Sequence, residues 1–142
     1  MPIQPAPSDQ GGMTAAEAGF VRTITQAAHT LLAGDIVRWN GTAWVVAQAN
    51  SAANAGGDNN TGIVENANPG GAGNDFTLRT GGLFTKDAHG LTLDQEVYLS
   101  EATAGLMTST KPSTTGNIVR KYGIAVSTSQ IEMDIDNGIT VE

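Results

Sequence analysis

Cysteine is absent from the 142-residue chain. Disulfide cross-links, Cys-based zinc sites, iron–sulfur clusters and thiol nucleophiles are therefore excluded. Cations are scarce: 7 Lys+Arg stand against 14 Asp+Glu, a formal net charge of −7. A surface that grips phosphate backbones needs a basic face, so no nucleic-acid partner is expected. Charged residues make up only 15% of the chain. That is too few for a solvated disordered polymer, and Leu, Glu and Lys are too sparse for a helical bundle. No apolar run approaches the ~20 residues that cross a bilayer as a helix, so no membrane partner is expected. The opening Met1-Pro2-Ile3-Gln4-Pro5 has neither the charged start nor the apolar stretch of a signal peptide.

What the chain does contain is glycine, 18 residues of it, among Thr, Asn and short β-branched runs. Its length fits one domain, which can bury roughly two-thirds of its unfolded surface. Residues 1–13 read as an extended arm, because Pro2, Pro5 and Pro7 favour a polyproline-like path and Gly11-Gly12 ends it. Thr14-Ala15-Ala16-Glu17 has capping-box spacing, with room for a turn or two of helix before a strand over 20–27. Residues 14–142 are expected to form a single β domain. Its strongest local signal is Asp35 to Ala47, where two β-branched and aromatic runs flank Asn40-Gly41. That dipeptide suits a type I′ hairpin turn, which would set Trp39 opposite Thr42 and put Trp44 further down the ladder.

Residues 48–61 read as a polar loop and 66–75, around Pro69-Gly70-Gly71, as another. Short strands are expected at 62–65, 76–79, 83–86, 96–99, 106–110, 118–122 and 123–127. The clearest is Ile131, Met133 and Ile135 alternating with Glu132, Asp134 and Asp136. Strands this short, with turn signals about every 8 to 12 residues, predict an all-β fold: a small barrel or sandwich of antiparallel strands.

A duplication is faintly visible. Ala28-His29-Thr30-Leu31 and Ala88-His89-Gly90-Leu91 lie 60 residues apart, and Val37 and Val97 keep that offset. Gly62-Ile63 and Gly123-Ile124 recur 61 apart. Each half then runs turn, strand, hairpin, Gly-Ile strand, last strand. Two similar halves packed into one unit would explain the pattern, since neither could bury its sheet alone. Chance recurrence in a Gly-rich β sequence is the other reading.

The chemistry-bearing residues point to no reaction. His29 and His89, the only histidines, sit at matching strand entries and read as turn residues. No His-x-x-x-His spacing accompanies them, and no Gly-x-Ser-x-Gly surrounds a serine. Asp134 to Gly138 only faintly resembles a calcium loop. Alternation puts Asp134 and Asp136 on the solvent face, with a weak calcium site the lesser reading. The glycine pairs lack a Gly-Lys-Ser/Thr sequence. Neither an enzyme nor a cofactor is expected. Core is the expected place for each of the two tryptophans; an exposed one would be a candidate interface anchor, and Trp44 is the candidate contact residue.

The stretch His29-x-Leu-x-x-Gly34-Asp35-Ile36-Val37-Arg38-Trp39-Asn40-Gly41-Thr42-Ala43-Trp44 resembles the opening of small β modules in tailed-bacteriophage virion proteins. Gly62-Ile63-Val64, Phe76-Thr77-Leu78, Val97-Tyr98-Leu99, Thr103-Ala104-Gly105-Leu106 and Gly123-Ile124-Ala125 follow in the same order, so the resemblance spans about residues 20–135. Such modules occur in capsid decoration (cement) proteins and in fibres, commonly as homotrimers, and bring no catalytic residues. The resemblance implies a partner, the major capsid protein, and a place on the outer capsid surface. A module that is nearly the whole chain favours decoration over a tail or head fibre or spike. A carbohydrate-binding β domain is the third reading, with Asp35 and Glu96 as the acids to watch. Pro2, Ile3 and Pro5 in the arm, with Trp44, are the expected contact residues. The arm and the two long loops depart from the module.

Overall fold

The computed structural model describes residues 20–68 and 74–142. The arm with Pro2, Ile3 and Pro5, the Thr14 capping box and the Pro69-Gly70-Gly71 segment lie outside them.

The architecture is all-β. The first half holds β1 (Val21–Thr25), β2 (Ile36–Trp39), β3 (Trp44–Val46), a single helical turn α1 (Ala52–Ala55), β4 (Thr61–Ala67) and β5 (Asp75–Arg79). The second holds β6 (Gly81–Thr85), β7 (Glu96–Leu99), β8 (Met107–Thr108), β9 (Ile118–Val119), β10 (Lys121–Ala125), β11 (Gln130–Asp134) and β12 (Ile139–Thr140). Every strand pairing is antiparallel. One sheet runs β1-β5-β4-β2-β3 and the other β6-β11-β10-β7-β8, with β12-β9 a separate ribbon. Among the described residues no strand pairing closes either sheet into a barrel.

The two five-stranded sheets have the same strand order, and the duplication carries down to single hydrogen bonds. Ile36 pairs with Ile63 and Val37 with Gly62 in one sheet; Glu96 pairs with Ile124 and Val97 with Gly123 in the other. Gly34 N–H donates to Val64 O (2.8 Å), and Asp94 N–H donates to Ala125 O (2.8 Å). Ala28 and Ala88 both sit at positive φ, 60° and 52°. The repeat also includes β1 and β6, whose sequences share almost nothing. The halves differ in one register: β10–β11 is slipped by two residues relative to β4–β5.

The recurring Gly-Ile has a steric cause. A Cβ on Gly123 would lie 2.2 Å from Glu132 O, and Gly123 has φ +157°. A Cβ on Gly62 would meet the Leu78 side chain at 2.8 Å and Arg79 O at 3.0 Å. The neighbouring strand presses on both positions, so only glycine fits, while Ile63 and Ile124 point to the opposite face.

Each face of the first sheet has its own core. Val37, Val64, Phe76 and Leu78 are buried on one face, together with Leu31 and Trp44. The sheet curls over this cluster until its edges nearly meet. Gln26, just past β1, donates from Nε2 to Trp44 O (2.9 Å) and accepts Trp44 N–H (2.7 Å) on β3. The opposite face, with Ile36 and Ile63, packs with Ala47, Ala49 and Ala55 against Phe84, Val97, Leu99, Tyr122, Ile131 and Met133 of the second half. Fully burying one such side chain stabilises by about 1.5–3 kcal/mol.

Polar bonds sew this interface. Arg120, 2% exposed, donates from Nη1 to Ala55 O (2.8 Å) and from Nη2 to Gly56 O (3.1 Å) and Asp58 Oδ1 (2.6 Å). Tyr122 and Thr61 share a buried hydroxyl hydrogen bond. Ile36 N–H reaches Gly105 O (2.9 Å), and Gly105 N–H reaches Ala47 O (2.7 Å).

Two expectations are corrected. The 48–61 segment is not all loop: Ser51 Oγ accepts Asn54 N–H (3.1 Å) and caps α1. One turn is too short to show a 3.6-residue period. The 40–41 turn is not type I′ either. Gly41 is at positive φ (99°) and Asn40 is not. Asn40 Oδ1 instead accepts Thr42 N–H (2.9 Å) and Ala43 N–H (2.8 Å), so the loop spans 40–43 and Trp39 pairs directly with Trp44.

Gly123→Ala should therefore destabilise by about 3 kcal/mol or more, since a backbone oxygen blocks the new carbon. Gly62→Ala should cost less, because part of its obstruction is the movable Leu78 side chain. Urea titrations of both variants check the order.

Candidate functional site

Three places combine exposure with chemistry. The first is the tryptophan corner. Trp39 and Trp44, paired across β2 and β3, tilt at 56° with ring centroids 5.8 Å apart. The Arg22 guanidinium lies 5.5 Å from the Trp44 ring. Trp44 is 7% exposed and Trp39 39%. Trp44, the expected contact residue, is thus a core residue, and Trp39 presents the indole. The four-residue loop decides this, by placing both rings on one face at the same level.

The second is a cleft of about 390 Å³ on the outward side of the second sheet, lined among others by Glu96, Tyr98, Lys111, Lys121 and Asp136. Tyr98 donates to the Glu96 carboxylate. That bond, aided by burial and by the charges of Glu96 and Asp136, pushes the Tyr98 hydroxyl up to about 12. Lys121 Nζ stands 3.8 Å from Glu96 and 3.7 Å from Asp136. These groups neutralise one another around a shallow opening. The β7 alternation makes Glu96 legible as a surface acid, but nothing in the sequence joins it to Asp136.

The third is the Asp58 corner. Gly138 N–H (2.9 Å) and Arg120 both donate to Asp58 Oδ1. The Gly138 amide first, then Arg120, holds the Asp58 carboxyl below its usual range. The long separation of Asp58, Arg120 and Gly138 hides this cluster from sequence reasoning.

The histidines occupy matching turns. Leu31 N–H donates to His29 Nδ1 (3.2 Å), and Leu91 N–H donates to His89 Nδ1 (3.0 Å). His29 is buried edge-on to Phe76 (5.2 Å), and His89 Nε2 meets Ser127 O (2.7 Å). Asp35 accepts Leu32 N–H (2.9 Å) in its own turn, while burial pushes its carboxyl up. The Asp35 and Glu96 carboxylates are thus each engaged within their own half. Asp134 and Asp136 are exposed. Among the described residues no group of three or more His, Asp or Glu is placed to hold a metal ion, and no helix is long and apolar enough to cross a membrane.

The chain matches no protein-family model, no curated protein and no solved structure.

Two predictions follow from these placements. Trp44→Ala should cost about 3–5 kcal/mol, the range for emptying a buried aromatic site. Trp39→Ala should stay within about 1 kcal/mol, and acrylamide quenching of the remaining indole should be strong in Trp44→Phe and weak in Trp39→Phe. Acid should also destabilise the protein in a defined sense. Asp58 and Glu101, the latter held down by the Asn117 side chain and then the Ser113 N–H, have folded values below their unfolded ones. Their contribution is complete above about pH 5, beyond the ordinary carboxylate values, and is lost as pH falls through the depressed ones. Asp35 works in the opposite sense. Urea midpoints measured from pH 6 to pH 2 should fall less steeply in Asp58→Asn.

Proposed function

We propose that the chain is a structural virion protein, a capsid decoration protein that binds the outer shell and bridges neighbouring subunits of the major capsid protein. The observation that carries this reading is the doubled module. The residues that resemble tailed-phage β modules are largely those that build the repeat: the His29 and Gly34-Asp35 turn, the β2–β3 hairpin, and the Gly-Ile strands. The chemistry fits a binding role. The buried polar groups, Arg120 and Tyr122 with Thr61, hold the halves together, and the exposed apolar side chains offer contact surface.

As a homotrimer, the protein would grip through three sites at once. Linked sites act at high effective concentration, so modest affinity per site gives strong retention. A standard interface of about 1,600 Å² in total suffices for a specific contact. The net charge of −7 does not oppose this placement, because the outer shell face carries no DNA. On this reading the arm, through Pro2, Ile3 and Pro5, would supply part of the grip, across a capsid groove or along a neighbour's sheet edge, and its prolines reduce the entropy lost on ordering.

A fibre or spike component is the second reading. The half-exposed Trp39 at a hairpin end favours it, since indoles are frequent contact anchors.

Quantitative mass spectrometry of purified particles tests the proposal. A fixed simple ratio to the major shell protein is expected. A handful of copies per particle would move the protein to a fibre or vertex, and absence from particles would discard the virion reading. Removing residues 1–12 should weaken retention while leaving the urea midpoint unchanged.

A further inference from the structure

Asn-Gly occurs twice in the chain, at Asn40-Gly41 and at Asn137-Gly138. In such a pair the glycine amide nitrogen can attack the side-chain carbonyl carbon of the asparagine, because no Cβ on the following residue stands in the way. The two pairs sit in opposite settings. The Gly138 nitrogen is held, its N–H donating to Asp58 Oδ1 (2.9 Å). A Cβ at 138 would lie 2.8 Å from Ile118 Cγ2 and 3.0 Å from Arg120 Nη2. This glycine is seated against both side chains and has little room to swing toward Asn137.

At the other pair, nucleophile and electrophile are both prepared. Asn40 and Gly41 are exposed. Beyond its chain neighbours, nothing lies within 4 Å of a Cβ built on Gly41. Among the described residues the Gly41 N–H is in no hydrogen bond, so this nitrogen is free to move. The asparagine carbonyl is polarised: its Oδ1 accepts Thr42 N–H (2.9 Å) and Ala43 N–H (2.8 Å). When a nucleophile adds to Cγ, negative charge develops on that oxygen. Two amide donors at such distances are the arrangement that stabilises an oxyanion.

We infer that Asn40 is a self-modification site, where the chain deamidates through its own Gly41 amide, and that the fold protects Asn137 from the same reaction. The Gly41 nitrogen bonds to Asn40 Cγ, the Cγ–Nδ2 bond breaks, and the Gly41 amide proton leaves with the departing nitrogen as ammonia. The product is a five-membered cyclic imide across residues 40 and 41. Water then opens the ring at either carbonyl. One product is an α-aspartyl chain, whose carboxylate still accepts the Thr42 and Ala43 amides, now with charge assistance. The other is a β-aspartyl chain, which runs through Cβ and Cγ and gains one methylene in its backbone. One water is consumed and one ammonia released, and no oxidant or reductant is required. The lengthened loop is the one that pairs Trp39 with Trp44, so the β-aspartyl product changes how the exposed Trp39 indole is presented. The reaction needs no partner and is independent of the capsid assignment.

The test incubates the full chain at neutral pH, once folded and once in concentrated guanidinium chloride, and samples both over time. Proteolysis with tandem mass spectrometry reads a gain of about 1 Da at each asparagine, and isoaspartyl methyltransferase labels the β-aspartyl product. In the folded protein Asn40 is expected to convert at least about tenfold faster than Asn137, the effect of the one charge-assisted hydrogen bond that Asn137 must break. It is also expected to convert no more slowly than in the unfolded chain, where both pairs react freely. Equal folded rates at the two sites would overturn the inference. So would slower conversion of Asn40 in the folded than in the unfolded chain, because the Thr42 and Ala43 amides would then be holding the carbonyl away from Gly41.

Discussion

The structure depends on how the outer face of the first sheet is covered. Ile36 and Ile63 are aliphatic side chains on a face that the curled sheet cannot bury by itself. The second half supplies the cover, with Leu99, Tyr122, Phe84 and Met133 in the same cluster. Burying these surfaces brings polar backbone with them, and each buried polar group needs a partner. Arg120 is the answer to that demand. Its guanidinium reaches across to the carbonyls of Ala55 and Gly56 and to Asp58, so the end of a one-turn helix is satisfied from the other half. Removing one partner from such a buried set costs far more than the set contributes relative to an apolar replacement. The two halves are therefore one structural unit.

Doubling a module and then stacking it head to tail has a consequence. The two copies cannot have the same surroundings, so equivalent positions carry different chemistry. His29 is buried and His89 half-buried, although both cap the same kind of turn. Gln26 clasps the edge of its sheet, whereas Lys86, at the matching place, lays its stem over Gly34. The strongest divergence is on the face that one copy buries and the other leaves open. There Ile36 becomes Glu96, and Arg79, paired with Glu65, is matched by Glu132, which has no ion pair among the described residues. The positions that do not diverge are those where the backbone decides. Gly62 and Gly123 both lie under a neighbouring strand, and no surface context can relax that constraint.

Three acidic groups sit in separate local clusters: Glu96 with Tyr98, Asp58 with Arg120 and Asp35 with its own turn.

Much of the all-β fold was legible from residue order. Turn-forming Gly and Asn between short β-branched runs specify where strands start and stop, because those preferences are local. The alternation in 131–135 located a half-buried strand, and the offset histidines and Gly-Ile pairs pointed to a repeat. Other features were not legible. The turn at Asn40 depended on a side-chain oxygen choosing two backbone donors over a type I′ geometry, and that choice moved Trp44 into the core. The pairing of Arg120 with Asp58, and of Tyr122 with Thr61, joins residues about 60 apart. By itself, then, the order of residues determined the all-β class and the approximate place of most strands and turns, which rest on local backbone preference, and it hinted at the repeat. Only the tertiary structure decided which sheet face is covered and which stays open, because that follows from how two similar halves stack, and stacking is a sum of contacts between residues far apart in the chain.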